Sequence, residues 1–113
     1  MKKIEAIIRP EKLTVVKAAL DEAGYVAMTI SEVRGHGAQK GVTQHWRGRQ
    51  LPVEFLPKVK LEMVVTSAED VNQILAVIHE NGCTGEIGDG KVFVSEIIEA
   101  LRLRTGERGA RAV

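Results

Sequence analysis

The sequence predicts an α+β domain of order βαββαβ, two helices lying on one face of a four-stranded sheet. Three observations carry this. Four short runs alternate apolar and polar residues with period two. Two longer runs repeat apolar residues at three- and four-residue steps. Between the second and third period-two runs, residues 36–57 keep neither period and contain Gly37, Gly41, Gly48, Pro52 and Pro57.

In residues 2–8, Ile4, Ala6 and Ile8 alternate with Lys3, Glu5 and Ile7, giving a strand with one buried face. Pro10 suits a first helical turn, where its missing N–H would be unpaired anyway. Leu13, Val16, Ala19, Leu20 and Ala23 form the stripe of a helix that Gly24 ends. Period two returns over 25–35, with Val26, Met28 and Ile30 on one side and Ala27, Thr29, Ser31 and Val33 on the other. Residues 58–65 alternate again, setting Val59, Leu61, Met63 and Val65 against Lys58, Lys60, Glu62 and Val64. Ser67 and Asp70 resemble a capping box before the stripe Val71, Ile74, Leu75 and Ile78, with Gly82 at its end. Residues 84–91, TGEIGDGK, are too glycine-rich for an element interior. Residues 91–95 read as a last strand, 96–101 as a helical turn, and 102–113 as a C-terminal loop and tail whose last residues are expected to be mobile. This order is the split βαβ arrangement of ferredoxin-like domains. Both helices then cover one sheet face, and the other, carrying Ile7, Thr29, Ser31, Lys60, Glu62 and Val64, is expected to be covered by further subunits.

At 113 residues and 44% hydrophobic composition the chain fits one domain, 1–113. Lone Cys83 can form no internal bridge and suits a reducing compartment. The start MKKIEAIIRPEK is basic like a signal peptide, but Glu5 and Arg9 interrupt its apolar run, and no run of 18 apolar residues occurs elsewhere. A cytoplasmic location is expected. The net charge of +1 gives no general attraction to nucleic acid.

Four groups of residues could carry chemistry. In 84–91 the glycines would let backbone N–H groups approach anionic oxygens, with Lys91 as a mobile cation; the alternative is a tight turn with positive φ at two sites. Val92 stands where a P-loop needs a hydroxyl, and a strand follows in place of a helix. Arg102 and Arg104, two apart, would point the same way from an extended backbone, or form a solvated tail. With Lys58, Lys60 and Lys91 they could line an anion pocket. Gln39, between Gly37 and Gly41, offers a hard-metal oxygen suited to Mg²⁺ beside phosphates. His36, His45 and His79 have no metal-ligand spacing. Trp46, Arg47 and Arg49 with Leu51 have the composition of a protein-binding hot spot, the alternative being a Trp folded onto its own loop.

The stretches MKKIEAIIRPEKL, GHGAQKG, WRG with VEFLPKVKLE, TGEIGDGKVFV and RLRTGE resemble the PII nitrogen-regulatory signal proteins over nearly the whole chain. The resemblance implies a homotrimer with nucleotide clefts between neighbours, competition of ATP with ADP, and 2-oxoglutarate bound beside MgATP. It implies an adenine side of Ile7, Thr29, Glu62, Met63 and Val64. The phosphates would meet Gly35, Gly37, Gly88, Asp89, Gly90 and Lys91, with Arg102 and Arg104 from the adjacent subunit. Gln39 would ligate Mg²⁺, and 2-oxoglutarate would meet Lys58 and the backbone around Gly37, Lys40 and Gly41. The 36–57 loop, with Trp46, Arg47, Arg49 and Leu51, would dock on protein targets such as an ammonium transporter or nitrogen-metabolism enzymes, reaching a membrane only through a transporter. Ala38 replaces an arginine common in the family, Leu51 a tyrosine modified in many bacterial members, and Arg49 a serine phosphorylated in some; Thr43 is the only hydroxyl of the loop. The expected function is a non-enzymatic sensor. Its rivals are a paralogue for another ligand, such as bicarbonate or another adenine nucleotide, an ATP-consuming enzyme and an RNA-binding module.

Overall fold

The computed structural model describes residues 1–35, 43–46, 49–52 and 55–113, with side chains described for 1–35 and 55–113. Strand β1 (Lys2–Ile8) runs into a 3-10 turn at Pro10–Lys12 and helix α1 (Leu13–Glu22), followed by β2 (Thr29–Gly35). Short strands β3 (Thr43–Trp46) and β4 (Arg49–Pro52) precede β5 (Leu56–Val65), α2 (Ala68–Gly82) and β6 (Gly90–Glu96). The main sheet has the order β2-β5-β1-β6, all neighbours antiparallel, as a ferredoxin-like fold requires.

Period-two burial decides which face is which. Ile4, Ala6 and Ile8 of β1 and Val59, Leu61 and Met63 of β5 are buried with Val16 and Leu20 of α1 and Ile74 and Ile78 of α2, so one core lies between the sheet and both helices. The residues between them in sequence, Lys3, Glu5, Ile7, Lys60, Glu62 and Val64, lie on the opposite, open face.

Four local readings differ from the structure. Residues 25–28 are not strand, because the chain completes a Schellman motif there: Gly24, at φ +96°, donates to the Asp21 carbonyl and Tyr25 N–H to the Leu20 carbonyl. Tyr25 then packs on the core and its hydroxyl reaches Asp70 Oδ1 (2.8 Å) on α2. This contact uses the Asp70 carboxylate, so only half of a capping box forms, the Asp70 N–H donating to Ser67 Oγ (3.1 Å). The second difference is at Gly82, which is the buried last residue of α2 and not a left-handed cap; the chain leaves the helix at Cys83 in extended conformation. Third, residues 97–100 are irregular, held by Ile97 N–H to the Met1 carbonyl (2.9 Å), and Leu101 pairs with Arg108 in an isolated bridge before a 3-10 turn at Gly109–Ala112. Fourth, the 36–57 stretch is not free of strands, since β3 and β4 pair as a hairpin in register Thr43↔Pro52 to Trp46↔Arg49.

Candidate functional site: one end of the sheet

β2 ends, β5 begins, β1 ends and β6 begins at the same end of the sheet, in the rungs Gly35↔Leu56, Ile8↔Val59 and Ile8↔Gly90. The two roots of the 36–55 segment, at Gly35 and Phe55, and the 84–89 turn therefore lie at this same end. Phe55, at the second root of the segment, has φ +56°, a left-handed conformation costly for an aromatic residue.

The 84–90 turn is built around Asp89. Its Oδ2 accepts N–H groups of Thr84 (2.8 Å) and Gly85 (2.9 Å), while its Oδ1 accepts the Thr84 hydroxyl and Arg9 Nε (2.9 Å). Arg9 Nη2 also donates to the Ile87 carbonyl (2.9 Å). These donors, the Thr84 hydroxyl first and Arg9 next, hold the Asp89 carboxyl well below the usual carboxylate range. Positive φ occurs at three glycines here, Gly85, Gly88 and Gly90, one more than expected from a tight turn. Gly90 is required by space as well: a Cβ there would lie 1.8 Å from the Ile7 carbonyl oxygen.

Lys58 is the one buried charged residue among the described residues, 9% exposed. Its stem passes over Gly35, where a Cβ would come 3.2 Å from Lys58 Cγ, and its Nζ donates to the Gly88 carbonyl. Burial, reinforced by the Arg9 charge, lowers its pKa. A desolvated ammonium whose partner among the described residues is a carbonyl is well disposed to an incoming carboxylate or phosphate. Beside it, Pro10, Glu32, Val33, Arg34, Pro57 and Val59 complete a cleft of about 480 Å³.

Across the open face one rung reads Ser31, Lys60, Ile7, Lys91. Lys60 is engaged by Glu5 (3.9 Å) and Glu62 (3.8 Å), whereas exposed Lys91 makes no hydrogen bond or ion pair among the described residues. The next rung places Thr29 beside Glu62, which also pairs with Lys3 (3.1 Å). Ile7, Thr29, Glu62 and Val64 thus share the open face. Met63 does not: 4% exposed, its side chain belongs to the core, so only its backbone could line that face. The period-two pattern sets Met63 opposite Glu62 and Val64, and its burial follows that pattern.

Arg102 and Arg104 do not extend in parallel, because 103–105 form a turn closed by Gly106 N–H to the Arg102 carbonyl (2.8 Å). Arg102 pairs with Glu107 (3.5 Å), and neither arginine bonds to the 84–90 turn. Gly37, Gln39, Lys40, Gly41, Arg47 and Ala38 lie outside the described residues, as do the side chains of Thr43, Trp46, Arg49 and Leu51. Among the described residues no three His, Cys, Asp or Glu cluster to hold a metal, and no helix is long and apolar enough to cross a membrane. Exposed Cys83 lines a cleft of about 200 Å³ with Ile7, Ile8, Ile78, His79, Gly82, Asp89, Gly90, Lys91 and Val92, so this cleft reaches the glycine turn at the same sheet end.

Sequence reasoning missed Arg9 and Thr84. The signal was there in part: Thr84 and Asp89 bracket GEIG at a spacing suited to a side-chain-closed turn, but Arg9 is 80 residues from its partner and only the sheet register joins them.

This sheet end, with a glycine turn, a lysine unpaired among the described residues and a long inter-strand segment on a ferredoxin-like frame, defines a small α+β protein of ferredoxin-like topology. A family model described as nitrogen regulatory protein P-II matches residues 1–107. Among similar proteins are nitrogen regulatory protein P-II 2 of Methanothermobacter thermautotrophicus, 52% identical over 100% of this chain and 97% of its own, and nitrogen regulatory protein P-II of Nostoc punctiforme, 53% identical over the full length of both. That of Rhodospirillum rubrum is 52% identical, also over both full lengths. The chain belongs to the nitrogen regulatory protein P-II family, and its role is signal transduction in nitrogen regulation.

Proposed function

We propose that the chain is a cytoplasmic, non-enzymatic sensor of ATP, ADP and 2-oxoglutarate, working as a homotrimer and regulating protein targets through residues 36–57. One observation carries the reading: the Lys91 ammonium, without a partner among the described residues, follows the positive-φ Gly88 and Gly90 at the sheet end that carries the roots of the long segment. Phosphate oxygens would be taken by the turn's backbone N–H groups and Lys91. The adenine would lie on the open face beside Ile7, Thr29, Glu62 and Val64. Arg102 and Arg104 of a neighbouring subunit would add cations, and Gly35 and Gly37 would leave room for the phosphates.

The Asp89 oxygens are occupied, so a Mg²⁺ ion would draw its ligands from the phosphates, from 2-oxoglutarate and from Gln39, the oxygen-rich set this ion favours. Bound there, it would neutralise phosphate charge. The distal carboxylate of 2-oxoglutarate would exchange with the Gly88 carbonyl for the Lys58 ammonium, and Lys40 and Gly41 would offer backbone donors. ADP, which lacks the γ-phosphate, would favour another arrangement of the segment and other partners, such as an ammonium transporter or a nitrogen-metabolism enzyme. A carboxylate held as acidic as Asp89 is a poor general base, which weighs against ATP turnover.

In calorimetry with MgATP present, Gln39→Ala should bind 2-oxoglutarate at least about tenfold more weakly while retaining nucleotide. Equal 2-oxoglutarate affinity in the variant and the parent would exclude the metal bridge.

A further inference from the structure

Of the two acidic groups in the glycine turn at which the phosphates are proposed to bind, Glu86 and Asp89, it is Asp89 that stands between Gly88 and Gly90, and a carboxylate beside phosphates should repel them. Yet both of its oxygens face inward, each accepting two donors: Thr84 N–H and Gly85 N–H on Oδ2, the Thr84 hydroxyl and Arg9 Nε on Oδ1. Four donors fill the acceptor capacity of a carboxylate. Nothing is left for a metal or a ligand hydroxyl. The Thr84 oxygen also accepts the Glu86 N–H (3.1 Å), and Arg9 holds the Ile87 carbonyl, so the turn is fixed at Thr84, Gly85, Glu86 and Ile87 before it reaches Gly88. Lys58 fixes the Gly88 carbonyl in turn.

Resting on the nucleotide reading above, we infer that Asp89, Thr84 and Arg9 are positioning residues for the phosphates. Their side chains shape the 84–90 backbone from within and touch no ligand atom. Arg9 is spent on this task as well: its guanidinium points at Asp89 Oδ1 and the Ile87 carbonyl, with Glu11 3.9 Å from Nη1. Among the described residues beside this turn in the same subunit, the cations left for an anion are Lys91 and, by exchange, Lys58.

The inference reverses a sign, and this makes it testable. Simple electrostatics says that Asp89→Asn, which removes a negative charge near phosphate oxygens, should tighten ADP binding. A positioning role says the opposite, since an amide presents one acceptor oxygen in place of two and releases the Thr84 and Gly85 N–H groups. The test is calorimetric titration of the full chain with ADP, alongside melting curves. Asp89→Asn should raise the ADP Kd about tenfold. Thr84→Val should raise it severalfold, and Thr84→Ser, which keeps the hydroxyl, should bind within about twofold of the parent. Asp89→Asn binding as tightly as the parent or more tightly would overturn the inference. So would Thr84→Val binding like the parent, or Thr84→Ser binding as weakly as Thr84→Val. Should Asp89→Asn not fold, the two Thr84 variants decide. A parent chain that binds no ADP would overturn the nucleotide reading itself and this inference with it, an outcome distinct from a parent that binds and variants that bind equally well.

Discussion

At Gly90 two constraints meet, a backbone φ of +100° and an Ile7 carbonyl oxygen 1.8 Å from where a Cβ would stand. Relieving that clash means moving β6 off β1 at the Ile8↔Gly90 rung. Gly90→Ala is expected to cost more than about 4 kcal/mol in denaturant unfolding, beyond the usual range of single substitutions. Lys58 gives a prediction in pH. Burial, then the Arg9 charge, lowers its pKa from the ordinary 10.5, against the smaller opposing pull of Glu11 and Asp89. The unfolded chain therefore keeps this proton to higher pH than the folded one, and between the two values stability rises with pH on account of Lys58. Lys58→Met removes that slope. Melting temperatures of the variant, relative to the parent, should fall as pH rises toward the ordinary lysine value of 10.5; a constant difference would show that the ammonium carries no desolvation penalty.

Among the elements, the two strands of the sheet centre and both helices were legible because each shows one period over a long run and each has a single buried face. β5 alternates buried and partly exposed residues from Val59 to Met63 as its sequence does. Short or shared features were not legible. The β3–β4 hairpin has four residues on each side, too few to establish period two, although an Arg47-Gly48 dipeptide between Trp46 and Arg49 has the composition of a tight turn. Tyr25 read as strand because its apolar neighbours alternate, while its actual task, capping α1 and bonding to α2, depends on Asp70, 45 positions away. Gly82 read as a terminator and is instead a small helical residue near the core. A methyl there would meet Val16 Cγ2 at 3.6 Å and Ile8 Cγ2 at 4.0 Å, ordinary packing distances. Gly82→Ala should thus stabilise by about 0.5–1 kcal/mol, read as a higher denaturant midpoint; a lower midpoint would mean that this corner tolerates no added volume.

For the molecule as a whole, the open face is the feature a single chain leaves unexplained. At its middle Lys3, Glu5, Lys60 and Glu62 neutralise one another at 3.1–3.9 Å, flanked by Phe93, 54% exposed. A charge-balanced face with apolar borders costs less to cover than one of a single sign. Ile98 and Leu103 are 95% and 93% exposed on the C-terminal segment, an exposure that a further subunit could relieve. Sedimentation equilibrium at micromolar concentration should give the mass of three chains, and the mass of one would refute the proposed trimer. The candidate site was readable only by combining levels: glycines and Lys91 from composition, Lys58 from alternation, their convergence from topology, and Arg9 from the folded structure alone. The rung Gly35↔Leu56 has one more consequence. It brings the two roots of the 36–55 segment together independently of what lies between them, and loop closure costs little more as a loop lengthens. The segment can therefore be regarded as a replaceable cassette. Evolution or an engineer could exchange its content, and with it, on the function proposed above, the repertoire of targets, while the sheet beneath keeps the same folding problem.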